Sequence, residues 1–308
     1  MSDVDRPIAG SPAGNIYDLG YRHYEGKRHG RWYSAWALYV DSLRGIWGFG
    51  RPMSAKAAPF ILAGLYAFAA LIQLAFSSAF SQAVRTEGTT AGLFTYGNYF
   101  NRLWIFVLLF CVAQAPEVVC RDQRYRVLTL YFTRALGRVD YALVRLASLA
   151  SALLIVLLVP MIVLFIGDVL MGADMFVAAA DELPKALPAI PADLLVASGM
   201  AAISLGLSAY SPRRAYAAIG LLAYFLLMEA VPSIIYSVGA EAGWTWSDKL
   251  ALTTPITGLD AATNWFFGVP LNPSYPVTLG SDAYVVASVL GVLVFATVLV
   301  SRYRRISA

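Results

Sequence analysis

Two kinds of side chain in this sequence stand where their chemistry would be unusual. The first is a carboxylate, Glu229, inside a long apolar run (215–238) with Pro232 just after it. An ionisable group at the centre of a bilayer-spanning helix costs a few kcal/mol, roughly 2.5–3.5 for Asp, Lys or Arg, so such groups usually face a protein interior or a water-filled cavity. Glu229 is therefore a candidate pathway or proton-binding group. The alternative is a carboxyl nearer the end of its helix, hydrogen-bonded to Ser233 or to a neighbouring helix. The second is a dense set of guanidinium groups. Arg121, Arg124, Arg126, Arg134, Arg138 and Arg145 all fall in PEVVCRDQRYRVLTLYFTRALGRVDYALVR, residues 116–145, between two apolar runs. Within it Tyr125, Leu128, Phe132 and Leu136 recur at i, i+3, i+7 and i+11, a helical stripe, while Arg121, Asp122, Arg124, Thr129 and Thr133 lie largely off it. The pattern predicts one basic, amphipathic helix over 121–136 that offers a face to a partner. The plainer alternative is a solvated loop that holds topology.

Other chemistries lack their residues. No G-x-x-x-x-G-K-[ST] occurs, and the glycines of NIYDLGYRHYEGKRHGR follow no strand, so a phosphate-loop reading is rejected. There is no G-x-S-x-G, and the carboxylates are scattered, which argues against a membrane enzyme. His23 and His29, the only two histidines, do not complete a metal site. Cys111 and Cys120 imply no disulfide framework.

The elements that must position these groups are membrane helices. The chain has 308 residues, 59% hydrophobic and 14% charged, with mean hydropathy +0.63. Crossing a bilayer takes ~20 mostly apolar residues. Six runs qualify, over 58–81, 99–119, 141–167, 193–210, 215–238 and 282–301. The first fifty-odd residues lack the short apolar core and cleavage site of a signal peptide. Of the 23 Lys and Arg residues, all but Arg85, Arg102, Lys185 and Lys249 fall on one side if the N-terminus is inside. This positive-inside pattern predicts two cytoplasmic termini in an inner or plasma membrane. Because the charge sorts by membrane side, the net +4 is no sign of a nucleic-acid partner.

Residues 31–49 read as an amphipathic helix along the cytoplasmic interface. Trp32, Trp36, Tyr39, Leu43 and Trp47 recur at helical spacing, and Trp and Tyr favour the headgroup level. Ser198, Ala202 and Gly206, four apart, let helices approach closely. Pro116 and Pro160 are expected to bend their spans. Asp168, Asp174, Asp181 and Glu182 form an acidic external loop, and 239–281 an aromatic external segment whose helices dip into the outer interface. The organisation expected is an all-α integral membrane protein. It comprises a cytoplasmic segment over 1–57 with the interface helix, a six-helix transmembrane domain over 58–301, and a basic tail over 302–308. A cytoplasmic helix joins spans two and three, and an external helical hairpin joins spans five and six.

In this order of features the chain resembles the type-2 permease subunits of ATP-binding-cassette exporters. That family's segment between spans two and three commonly reads E-R-E-x-G-T-L followed by s-t-P-l-s-R-x-x-Y-L. The matching residues are Asp122, Leu128, Leu136, Arg138, Tyr141 and Leu143, with departures at Arg126 (usually Gly), Val127 (Thr) and Ala135 (Pro). SPRRAYAA and TTPIT are also similar to family patterns. The resemblance implies a permease that pairs with a second protomer, identical or not. A separate nucleotide-binding ATPase would dock on the 121–136 helix through Arg121, Asp122, Arg124, Tyr125, Leu128, Phe132 and Leu136. It implies a subunit that is not catalytic by itself and binds no cofactor, ATP and Mg being held by the partner ATPase. The pathway would be lined by spans two and five, where Phe106, Tyr224, Phe225 and Met228, with Glu229, suit an apolar or amphipathic cargo. Two rival readings remain: an ion-coupled secondary transporter using Glu229 or Asp193, and a non-transport anchor or sensor.

Overall fold

The computed structural model describes residues 30–79, 95–132, 136–244, 246–271 and 279–305. His23, His29, Arg85 and Arg134 lie outside the described residues, as do the last three residues of the tail. The described residues form helices and no strand: α1 (Arg31–Ile46), α2 (Met53–Ala79), α3 (Tyr99–Arg124), the short α4 (Leu128–Phe132), α5 (Arg138–Met171), α6 (Met175–Ala186), α7 (Ala189–Ser208), α8 (Arg214–Ala242), α9 (Ser247–Leu250), α10 (Pro255–Phe266) and α11 (Ser281–Arg304). Six stretches are long and apolar enough to cross a membrane: α2, α3, α5, α6 with α7, α8 and α11. They correspond one to one with the apolar runs of the sequence. Each helix is longer than its run; α5 has 34 residues, about 51 Å at 1.5 Å per residue.

Burial is uneven along the bundle. The α7 helix is the most enclosed, and its buried residues are rich in small ones: Ala192, Ala197, Gly199, Ala201, Ala202, Ser204 and Gly206, beside Val196, Met200, Ile203 and Leu205. A methyl group on Gly206 would sit 3.2 Å from Phe295, and one on Gly199 would sit 3.0 Å from Leu259. The small-residue spacing thus serves close packing within the chain. By contrast α2, α8 and α11 expose Ile61, Leu65, Ile219, Leu227, Leu290 and Leu293, the composition expected of faces turned to lipid or to another apolar surface.

Three expectations change. The predicted acidic loop contains α6, whose N-terminus is capped by Asp174 accepting from the amides of Phe176 (2.9 Å) and Val177 (3.4 Å). An Asp before an apolar run is a helix start signal, and it outweighs the loop reading. The helix α3 runs on to Arg124, beyond the predicted end at 119. The third change concerns α10. It is about 18 Å long, too short to span, and Ile256 and every residue from Gly258 to Asn264 are buried. It packs into the bundle against α7, α8 and α11 rather than standing apart as a surface segment.

Candidate functional site

The basic segment is not one helix. After α3 ends at Arg124 the chain turns at Tyr125–Val127, forms one turn of helix at Leu128–Phe132, and reaches Leu136 beyond the undescribed 133–135. The break lies at Arg126, whose φ of 53° is the left-handed conformation that L side chains rarely adopt. This is the position where the permease pattern carries Gly, the residue that takes such a φ without steric cost. A hydrophobic stripe with 3.6-residue spacing is blind to a single reversed φ, so the stripe read as continuous.

The seven residues assigned to a docking face divide accordingly. Arg121, Arg124 and Tyr125 are exposed, Tyr125 by 66%. Asp122, Leu128 and Leu136 are buried, so they anchor the segment rather than present it. Phe132 is half-buried; its ring meets Tyr141 edge-on at 6.0 Å, and Arg138 lies over it at 5.7 Å. Leu130, which the stripe did not include, is 66% exposed on α4.

Asp122 is the centre of a buried polar network. Its Oδ2 accepts from the Tyr141 hydroxyl at 2.6 Å and pairs with the Arg145 guanidinium. Arg145 also donates to Ser42 Oγ at 2.7 Å, and Ser42 in turn donates to the Leu38 carbonyl at 2.5 Å. One carboxylate at the end of α3 is therefore tied to α5 and, through Arg145, to α1. A second carboxylate repeats the arrangement: Glu117 holds Arg51 at 2.5 Å and Arg214 at 3.0 Å, joining α3 to the turn before α2 and to the start of α8. Gln123 donates to the Ala209 carbonyl at 2.9 Å. Arg302 reaches the same carbonyl at 3.3 Å, and Arg138 reaches the carbonyl of Arg304 at 3.2 Å. Basic residues at the ends of four helices, α2, α5, α8 and α11, are thus gathered at one end of the bundle.

Helix α1 lies against α5 at this end. Tyr39 donates to Ser151 at 2.9 Å, and Arg31 pairs with Asp140, with Nε to Oδ2 at 2.6 Å. Leu38, Ser42 and Ile46 are its buried face, Tyr39, Leu43 and Trp47 are half-buried, and Trp32 and Trp36 are exposed. Between α1 and the end of α3 opens a cavity of about 990 Å³. Its charged lining comes from Asp41, Arg44, Arg51, Glu117, Arg121, Asp122 and Arg145.

The pathway candidates do not converge. Phe225 is fully buried, Phe106 and Tyr224 are half-buried, and Met228 is exposed. Tyr224 stacks edge-on with Phe295 at 5.9 Å and borders a small cavity of about 80 Å³ shared with α7, α10 and α11. Glu229 has a specific role. Its Oε1 accepts from the amides of Ile256 (2.5 Å) and Thr257 (3.0 Å), and its Oε2 accepts from the Thr257 hydroxyl (2.7 Å). A carboxylate from α8 thus caps the N-terminus of α10, meeting orphan donors and the positive end of that helix dipole. The hydrogen bond to a neighbouring helix that the sequence allowed for Glu229 is present. Ser233 donates to the Glu229 carbonyl at 2.6 Å, not to its carboxylate.

Compared with known proteins, the chain matches no family model and no curated protein. What its fold and composition define is an all-helical chain with the make-up of a multi-pass membrane protein.

Proposed function

We propose that the chain is the membrane-spanning permease subunit of an ATP-binding-cassette exporter, coupled to a separate ATPase through the turn and short helix at 124–132. The observation that carries this reading is the contrast within that segment. Arg124, Tyr125 and Leu130 are exposed, while Leu128 between them, and Asp122 and Tyr141 on either side, are buried in the bundle. A load applied to α4 passes through Asp122–Arg145–Ser42 to α5 and α1, and Glu117 extends the linkage to the start of α8. Contiguous networks of this kind are what carry coupling between distant sites. The left-handed turn at Arg126, at the family's Gly position, and the amphipathic α1 support the same assignment. In this reading the basic end is cytoplasmic, α10 belongs to the outer half, and the exposed faces of α2, α8 and α11 meet lipid or a second protomer. The cargo is apolar or amphipathic.

The test is co-purification in mild detergent from native cells. A soluble subunit bearing G-x-x-x-x-G-K-[ST] is expected to accompany the chain, and Tyr125→Glu with Leu130→Glu to release it while leaving the fold intact. Phe132 is a poorer probe because it packs on Tyr141. Isolation of the chain alone, with no ATPase bound on reconstitution, would remove the proposal.

One observation favours an ion-coupled carrier instead, and it moves the candidate from Glu229 to Asp193. Asp193 is 4% exposed, and its Oδ2 has no hydrogen-bond partner among the described residues. Asp193→Asn abolishes transport in that reading and leaves ATP-driven transport in place.

A further inference from the structure

The cavity between α1 and the end of α3 has a use that neither helix packing nor ATPase docking supplies. Four guanidinium groups line it, from Arg44, Arg51, Arg121 and Arg145, against three carboxylates. Two of the carboxylates are already engaged, Glu117 by Arg51 and Arg214, and Asp122 by Arg145 and Tyr141. Arg44 and Arg121 form no ion pair among the described residues, and Asp41 is the one carboxylate left to oppose them. Behind them Arg145 is 5% exposed, and its Nε has no partner among the described residues. A buried N–H left without an acceptor is costly, and an anion reaching it from the cavity would offset that cost.

The rest of the lining says which kind of anion. Phe49, Tyr125, Val127, Leu130 and Tyr131 bring aromatic and aliphatic surface beside the guanidinium forks. A volume of about 990 Å³ is at the upper end of small-molecule sites and far exceeds what a bare oxyanion needs. Guanidinium groups match phosphate oxygens in pairs of parallel hydrogen bonds. Burial pushes the Tyr131 phenol above its ordinary pKa, and the nearby Asp122 carboxylate acts in the same direction, so its hydroxyl stays a donor at neutral pH.

We infer that this cavity binds an organophosphate, a phosphate ester whose organic part rests on Phe49, Val127 and Tyr131, with Arg44 and Arg121 holding its phosphate. The inference stands on the cavity and its charges and does not require the ATPase. The same chemistry is presented by the headgroup of an anionic phospholipid and by a soluble phosphate ester, and the experiment separates them.

The full chain is placed in nanodiscs of phosphatidylcholine with one-fifth phosphatidylglycerol, and retained lipid is counted by native mass spectrometry. In parallel, sn-glycerol 3-phosphate is titrated calorimetrically onto the chain in neutral detergent. Three variants accompany the wild type: Arg44→Gln/Arg121→Gln, Asp41→Asn, and Arg126→Gln/Arg305→Gln as a control that removes the same charge outside the cavity. Selective retention of phosphatidylglycerol without binding of glycerol 3-phosphate identifies a lipid headgroup. Binding of glycerol 3-phosphate identifies a soluble ester. In either case the cavity pair is expected to weaken binding about a hundredfold, tenfold for each charge-assisted contact removed, and Asp41→Asn to tighten it. Binding of neither probe overturns the inference. So does an equal loss in the control pair, which would mean that general positive charge and not this cavity attracts the anion.

Discussion

Glu229 offers the sharpest test of the structure, because its two readings predict opposite results for one conservative change. As a cap on α10 its carboxylate makes three hydrogen bonds, to two amides and one hydroxyl. In Glu229→Gln the amide oxygen still accepts from Ile256 and Thr257, and the Thr257 hydroxyl turns to accept from the new NH₂. What is lost is the charge at a helix N-terminus, about 0.3–1 kcal/mol. In Glu229→Ala all three contacts go, and the two amides at the start of a buried helix are left without an acceptor. Each unsatisfied buried donor costs about 1–3 kcal/mol, and two in the lower half of that range give roughly 2–4 kcal/mol. Amide hydrogen exchange reads this locally. Protection of Ile256 and Thr257 should fall by less than about tenfold in the Gln variant and by about thirtyfold to a thousandfold in the Ala variant. Transport should survive Glu229→Gln. Equal loss of protection in both variants would refute the capping account. Abolished transport with unchanged protection in Glu229→Gln would restore the proton-binding reading.

Three more outcomes follow from the packing. Asp122→Ala leaves the Arg145 guanidinium buried and unpaired and should cost about 3–5 kcal/mol, whereas Asp122→Leu/Arg145→Met should recover most of that; unfolding titrations of both, run as a double-mutant cycle, decide it. Arg126→Gly relieves a left-handed backbone worth about 1–2 kcal/mol and is offset by roughly 0.5–1 kcal/mol of unfolded-chain entropy, so it should be neutral to mildly stabilising, while Arg126→Val should destabilise by more than 1 kcal/mol in the same assay. Gly206→Leu drives a side chain into Phe295, 3.2 Å from where its Cβ would stand, and should lower the melting temperature in detergent by several degrees, whereas Gly220→Leu, with open space around it, should not.

Much of the helix count was legible in the chain, for a local reason. Each membrane run is long, continuous and apolar, and length alone separates it from a strand or a soluble helix, so α2, α3, α5, α7, α8 and α11 each fall on a predicted run. The amphipathic α1 was equally visible, because its Trp and Tyr spacing is a property of sixteen consecutive residues. The 121–136 segment was read as one helix because periodicity records side chains and not φ, and a single left-handed residue at Arg126 divides it. Within that segment the stripe missed Leu130, the apolar residue that α4 exposes. For α10 the buried Asp260, Thr263 and Asn264 disguised an internal helix as a surface one.

What the sequence determined by itself is the material: six apolar helices, an amphipathic helix before them, and arginines concentrated at alternate connections. What only the tertiary structure decided is which polar groups meet. Glu229 finds Thr257, Arg51 finds Glu117, and Arg145 finds both Asp122 and Ser42, the last across 103 positions of chain. Hydrophobic length and period are summed over neighbouring residues and survive any packing. A hydrogen bond between distant helices depends on their relative rotation and depth, which are fixed by small-residue contacts such as Gly206 on Phe295 and leave no periodic trace in the chain.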